Sequence, residues 1–240
     1  MLLAIDTATR TASIALYNAE GVHAETTWRT RENHTVELMA QVIGLLALSH
    51  TAKKDLTAIA VALGPGSFTG LRVGMSVAKG LAFAGPHPLL GIPTLDAIAY
   101  AHVYQALPLW VVLAAGRGRY SVARYAAHTD PVKRTSGYSL VDAAGLVDLV
   151  SKSDGADAAE RVQEQRALFC GDVDAALSKV LSDHFGERAL IAPAAMNARR
   201  AGFLAELAWA RLQRGESDDV ASLAPMYLPH ESVEGSKPER

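Results

Sequence analysis

Cysteine is nearly absent from this chain: Cys170 is the only one in 240 residues. That excludes an intrachain disulfide and any metal site built on several thiolates. Aromatic residues are sparse at 6%. Excess charge is lacking as well, because 23 Lys and Arg stand against 25 Asp and Glu, a formal net charge of −2. A chain so balanced does not grip nucleic acid unaided, and any such contact has to be shared with a more basic partner. No apolar run is long: residues 107–115 form the longest, about half of the ~20 residues that a membrane helix needs. Residues 1–5 are apolar, but Asp6 interrupts them and no basic stretch precedes. No secretion signal is read there, and a cytoplasmic protein without membrane contact is expected. None of the eight histidines has another at i+3 or i+4, and His230-Glu231 lacks the closing histidine of a zincin motif, so no metal site is expected.

Half of the residues are hydrophobic, enough for a substantial core in one large or two small domains. Residues 1–5, 12–17 and 22–28 read as three strands, the second and third joined by Asn18-Ala19-Glu20-Gly21. A helix over 35–48 follows, capped by Asn33 or Thr35, then a strand over 58–63 and a helix over 69–84. Thr94 is expected to cap a further helix reaching about residue 104. Beyond Pro108, strands over 109–114 and 120–125 and a loop over 129–137 are expected. A helix over 143–152, a polar connection over 153–164 and a strand over 168–170 come next. Helices over 173–185 and 197–214 complete the pattern, the last packing back across the molecule. The division is residues 1–105, residues 106–228 and a polar tail over 229–240. Moving the chain by 108 positions lays Ser13-Ile14-Ala15-Leu16-Tyr17 on Ser121-Val122-Ala123-Arg124-Tyr125, so each lobe opens on a similar hairpin.

The most specific stretch is the turn Gly64-Pro65-Gly66-Ser67-Phe68-Thr69-Gly70-Leu71-Arg72, between a strand and a helix. Such a turn can face an anion with backbone N–H groups, or let two helices or two subunits approach closely. General motifs do not fit it. A dinucleotide fingerprint needs a third glycine where Thr69 stands, and a P-loop needs a lysine, but none follows the turn before Lys79. A nucleophile elbow at Ser67 needs glycines where Pro65 and Thr69 stand. In the helix that follows, Gly70, Gly74 and Ala78 recur every fourth residue, flanked by Leu71 and Met75. Each helical glycine costs ~1 kcal/mol against alanine, so a packing gain is required, within the lobe or against a second subunit. In the preceding helix, Val36, Met39, Ile43 and Leu46 form one apolar stripe and Leu38, Val42 and Leu45 another. A helix apolar on so much of its circumference is covered on more than one side.

The turn, with Ala4-Ile5-Asp6-Thr7-Ala8-Thr9, Asn33-His34-Thr35-Val36-Glu37-Leu38, Gly91-Ile92-Pro93-Thr94-Leu95-Asp96 and Ala224-Pro225-Met226-Tyr227-Leu228, resembles the TsaB (YeaZ-type) family. The resemblance is dense over residues 1 to about 125, thin afterwards, and returns near the end. It implies an α/β fold of the two-lobed, duplicated actin-like and sugar-kinase-like (ribonuclease H-like) kind, with mixed sheets flanked by helices. It also implies a non-catalytic subunit serving threonylcarbamoyl transfer to tRNA. Its partners are then TsaD as a heterodimer and TsaE, with a homodimer when TsaD is absent, and tRNA is met only indirectly. Val36, Met39, Ile43, Gly70, Leu71, Gly74, Met75 and Ala78 are then expected at the subunit interface. No tightly bound cofactor is implied, although a nucleotide can sit at the junction with partners.

In that architecture the first hairpin turn of each lobe faces nucleotide phosphate or metal. Asp6, Thr7 and Thr9 are the first lobe's candidates, as a vestigial nucleotide loop, and Asp6 can equally be a turn residue bonding nearby N–H groups. Ala114 stands at the matching place in the second lobe, where the family often carries an acid, and it cannot hold a metal. Arg117 and Arg119 can meet phosphate or simply be solvated, and Arg72 can salt-bridge or reach an interface. His34 lacks the His-x-x-x-His partner that TsaD carries, since Leu38 stands there. The other readings are an ATP-dependent phosphotransferase of the same fold and, with little behind it, a peptidase.

Overall fold

A computed structural model of the protein describes residues 1–30, 34–127, 132–153 and 166–228. Strand β1 (Leu2–Asp6) is buried along its whole length, as an apolar strand must be when both faces of its sheet are covered. It pairs antiparallel with β2 (Thr11–Asn18), which continues through a turn into β3 (Gly21–Arg29). After helix α1 (His34–Leu48), β4 (Ala58–Gly64) pairs parallel with β1. Helix α2 (Phe68–Phe83), β5 (Leu89–Pro93) and helix α3 (Thr94–Tyr100) complete the first lobe. Its sheet runs β3-β2-β1-β4-β5.

The second lobe repeats this plan. β6 (Leu109–Gly116), β7 (Arg119–Tyr125) and β8 (Ser139–Asp142) are followed by α4 (Ala143–Ser153), β9 (Ala167–Gly171), α5 (Ala175–Phe185), β10 (Ala189–Ile191) and α6 (Ala201–Gln213). Its sheet runs β8-β7-β6-β9-β10, strand for strand the order of the first. The expected duplicated α/β fold with two mixed sheets is therefore the fold observed. The hairpin correspondence needs one adjustment. Ile5 pairs with Ile14, whereas Leu113, 108 residues after Ile5, pairs with Ser121, only 107 after Ile14. The second hairpin is one residue shorter, so Ser121 matches Ser13 by letter but not by position.

Alternation along β1 sends Leu3 and Ile5 to one face and Leu2 and Ala4 to the other. Leu38, Val42 and Leu45 of α1 and Met75 and Ala78 of α2 cover the first face. The opposite face carries small residues, Ala4, Ala15, Ala58 and Ala60, and α6 settles on them through Ala201, Leu204, Ala205 and Ala208. The last helix thus crosses from the second lobe onto the first lobe's sheet. Conversely, Leu95 and Ala99 of α3 pack with Leu109, Val111 and Leu113 of β6. Among the described residues, no helix is long and apolar enough to cross a membrane.

Several boundaries differ from expectation for identifiable reasons. Thr94 is not a cap: Pro93 holds that position without a side-chain bond, and buried Thr94 uses Oγ1 to accept from the Gly64 N–H at 3.1 Å. That helix ends at Tyr100. Asn197, expected to begin the last helix, instead ends a separate short turn, Ala194–Asn197, where its Oδ1 accepts from the Gly171 N–H at 2.9 Å, and α6 starts at Ala201. Asp174 caps α5 by accepting from Leu177 N–H at 2.8 Å, so that helix starts after Val173. The proposed Asn33 cap, the start of the loop over 129–137, nearly all of the connection over 153–164 and the tail over 229–240 lie outside the described residues.

Candidate functional site

The glycine-bracketed turn is packed by its own chain. Ser67 caps α2, its Oγ accepting from the Gly70 N–H at 3.2 Å. The Ser67 N–H donates to the Ala8 carbonyl at 2.7 Å, and Thr7 Oγ1 donates to the Gly70 carbonyl at 2.7 Å. On the other side, Met226 N–H donates to the Leu63 carbonyl at 2.7 Å. Gly64 has φ +112°, and a Cβ there would meet the Met226 carbonyl at 2.5 Å. Pro65 is buried and Gly66 half-buried, while Ser67, Phe68 and Thr69 are exposed. The Ser67 and Gly70 N–H groups, which could have faced an anion, are spent on the Ala8 carbonyl and the Ser67 hydroxyl. The Gly70 and Leu63 carbonyls join the residue 6–9 turn and the residue 224–228 segment to the head of α2.

This packing corrects five of the interface assignments. A Cβ on Gly70 would strike the Thr7 carbonyl, and one on Gly74 would strike Thr7 Oγ1. Leu71, Met75 and Ala78 are buried in the cores on either side of the first sheet. The smooth strip of α2 faces β1, not a second subunit, so Gly70, Leu71, Gly74, Met75 and Ala78 offer no surface to a partner. The stripe on α1 is different. Val36 and Ile43 are each 62% exposed and Met39 is 38% exposed, while the other stripe is buried. Beside them, Thr35, Phe68, Arg72, Val73 and Val77 line a shallow groove between the heads of α1 and α2.

In the inter-lobe cleft, the C-terminal end of β1 meets the segment before α6. Asp6 is buried and forms an ion pair with buried Arg199. Its other oxygen accepts from the Ala8 N–H at 3.0 Å, the turn role open to it from the sequence. The hydroxyls beside it are engaged too: Thr7 on Gly70, and Thr9 Oγ1 donating to the Thr11 carbonyl at 2.8 Å. Gly171, Asp172, Asn197 and Phe203 line the same cleft. Ala114 is exposed, and its N–H donates to Asp172 Oδ2 at 3.0 Å. Sequence reasoning missed Arg199 and Asp172: neither sits in a motif, and only the meeting of the two lobes brings them to Asp6.

Other polar groups stand apart. His34 is buried, its Nε2 2.8 Å from the Thr9 carbonyl, a packing role at the start of α1. No group of three or more metal-ligating side chains forms among the described residues. Asp96 Oδ1 accepts from both Tyr125 (2.7 Å) and Tyr138 (2.9 Å), which ties α3 to the second sheet. Burial, followed by the Asp96 charge, raises the pKa of both phenols.

A duplicated, two-lobed α/β protein is thereby defined, one whose cleft carboxylate is already paired within the chain. The family model described as TsaD: tRNA N6-adenosine threonylcarbamoyltransferase matches residues 6–233, and the chain belongs to this family, in its TsaB (YeaZ-type) branch. The tRNA threonylcarbamoyladenosine biosynthesis protein TsaB of Escherichia coli is 43% identical over 98 residues, 41% of this chain and 42% of that protein. The Bacillus subtilis protein of the same name is 29% identical over 227 residues, 95% of this chain and 93% of that one. The chain thus spans under half the length of the E. coli relative and nearly all of the B. subtilis one. YeaZ from Pseudomonas aeruginosa shares the fold, with a TM-score of 0.72 at 23% identity over 95% of this chain and 99% of that chain.

Proposed function

We propose that this chain is a non-catalytic subunit in the transfer of a threonylcarbamoyl group to the adenosine beside the anticodon of tRNA. It acts by binding and organising the catalytic TsaD subunit, with the ATPase TsaE joining at their junction. The observation that carries this reading is the exposed apolar stripe of α1, Val36, Met39 and Ile43, on a helix whose other face is already buried. Aligned apolar side chains beside a groove make a protein-docking surface. The shared name of the curated relatives supports its place in tRNA modification. When TsaD is absent, the same stripe serves for pairing of two copies, and tRNA is met through TsaD, in the cytoplasm. Any nucleotide belongs to the junction between subunits.

The cleft favours a subunit over an ATP-dependent phosphotransferase. Phosphoryl transfer needs carboxylates free to hold a metal, whereas Asp6 is paired with Arg199 and Ala114 stands at the matching place in the second lobe. Co-purification with the cognate TsaD tests the proposal. The unchanged chain is expected to bind, and Val36→Asp and Ile43→Asp to lose binding while melting normally. Binding by both variants as tight as the unchanged chain's refutes the interface. Magnesium-dependent ATP turnover by the isolated chain, lost on Asp6→Ala, refutes the non-catalytic role.

A further inference from the structure

Beside the apolar stripe stands a charged group fixed in place. The Arg72 guanidinium lies over the Phe68 ring, 3.8 Å from its centroid. Its Nε donates to the Tyr227 hydroxyl at 3.2 Å, and the Phe68 and Tyr227 rings lie 5.2 Å apart. All three residues are exposed. Tyr227 is brought there by the bond of Met226 to Leu63, so the site joins the head of α2 to a segment 155 residues further along the chain. Among the described residues, no carboxylate pairs with Arg72, although Arg199, Arg200, Arg211 and Arg214 all have one.

We propose that Arg72 is the charged anchor of the α1–α2 face and receives a carboxylate, an Asp or Glu side chain set in an apolar patch of the partner subunit. This rests on the reading that the face binds TsaD. An arginine held by stacking and by its Nε has lost much of its side-chain freedom before binding, which lowers the ordering cost on association. Its two terminal nitrogens remain as donors, and a guanidinium edge matches a carboxylate in a way that an ammonium does not. Phe68 and Tyr227 supply the aromatic wall that excludes water from the pair, and arginine with aromatics is the composition of interface hot spots. The apolar stripe provides area, while Arg72 provides register: a partner whose acid misses it leaves a desolvated charge unpaired.

Calorimetric titration of the full chain with the cognate TsaD, at low and high salt, tests this. Arg72→Gln is expected to weaken binding by about 10- to 100-fold and to flatten the salt dependence. Arg72→Lys keeps the charge but loses the fork and the stacking, and falls between the two. Ile43→Asp serves as the control on the face itself. If Ile43→Asp abolishes binding while Arg72→Gln binds as tightly as the unchanged chain, the anchor is refuted and the interface stands. If neither variant alters binding, the docking face itself is wrong. Tighter binding by Arg72→Gln also overturns the anchor, because the guanidinium then hinders the partner instead of holding it.

Discussion

Asp6 and Arg199, 193 residues apart, form a buried ion pair that closes the junction between the two lobes. Asp6 ends the central strand of the first sheet, and Arg199 lies two residues before the helix that crosses onto that sheet. One guanidinium nitrogen, Nη1, is buried without a hydrogen-bond partner among the described residues. The pair therefore serves more to fix the geometry of the junction than to add stability. Removing one member leaves a buried charge alone, so Arg199→Met should cost about 3–5 kcal/mol in urea unfolding. Asp6→Asn combined with Arg199→Met keeps the acceptor for Ala8 and removes both charges, and should cost clearly less than Arg199→Met alone. Equal losses in the two proteins would show that the charges are not coupled.

Gly74 provides a second test, separating packing from docking. Its missing Cβ is what lets α2 lie on Thr7. Gly74→Leu should destabilise the chain by at least ~1–3 kcal/mol through overpacking. Once binding is corrected for the unfolded fraction, partner affinity should be close to that of the unchanged chain. A fully stable Gly74→Leu protein that no longer binds would return this strip to the interface.

The contrast between α1 and α2 shows what the sequence could reveal. Strand and helix alternation in both lobes is readable because apolar periodicity and glycine turns are local signals. The short edge strands β5, β8 and β10 are not, since each gains its state from a neighbour distant in the chain. For the same reason the apolar stripes of α1 are visible, but which one the sheet buries is decided by the roll of the helix on Ile5 and Ile14. Small residues spaced by four in α2 fit a sheet as well as a second helix, and the choice falls to Thr7. Arg199 is legible nowhere locally, because its role exists only once α6 has crossed to the other lobe.

Cys170 lies in β9, wholly buried, and burial raises its pKa well above that of an ordinary thiol. Only the thiolate reacts with disulfide reagents. Labelling by a thiol reagent at pH 8 should therefore follow opening of the second sheet rather than thiol ionisation. It should accelerate with urea in step with the unfolding transition. Rapid labelling in native buffer, on the scale of a free thiol, would contradict the burial of β9.

His102 provides a pH test with a defined sign. It is buried in the turn after α3, and neither ring nitrogen has a hydrogen-bond partner among the described residues. Desolvation lowers its pKa from the ordinary value of 6.5. As pH falls through about 6.5, the unfolded chain takes up the proton first while the folded ring stays neutral. Stability is then lost progressively on acidification, and this contribution levels off once the folded value is passed. His102→Leu removes the proton site and also the two unsatisfied nitrogens, whose desolvation costs about 1–3 kcal/mol when they are left unpaired. The variant should be at least as stable as the unchanged chain near pH 7, and the gap should widen between pH 6.5 and 5 as the unchanged chain loses stability. Urea unfolding at four or five pH values measures this. Parallel curves for the two proteins would show that His102 does not titrate with folding, and an unstable variant at pH 7 would show that the ring has partners that its surroundings do not reveal.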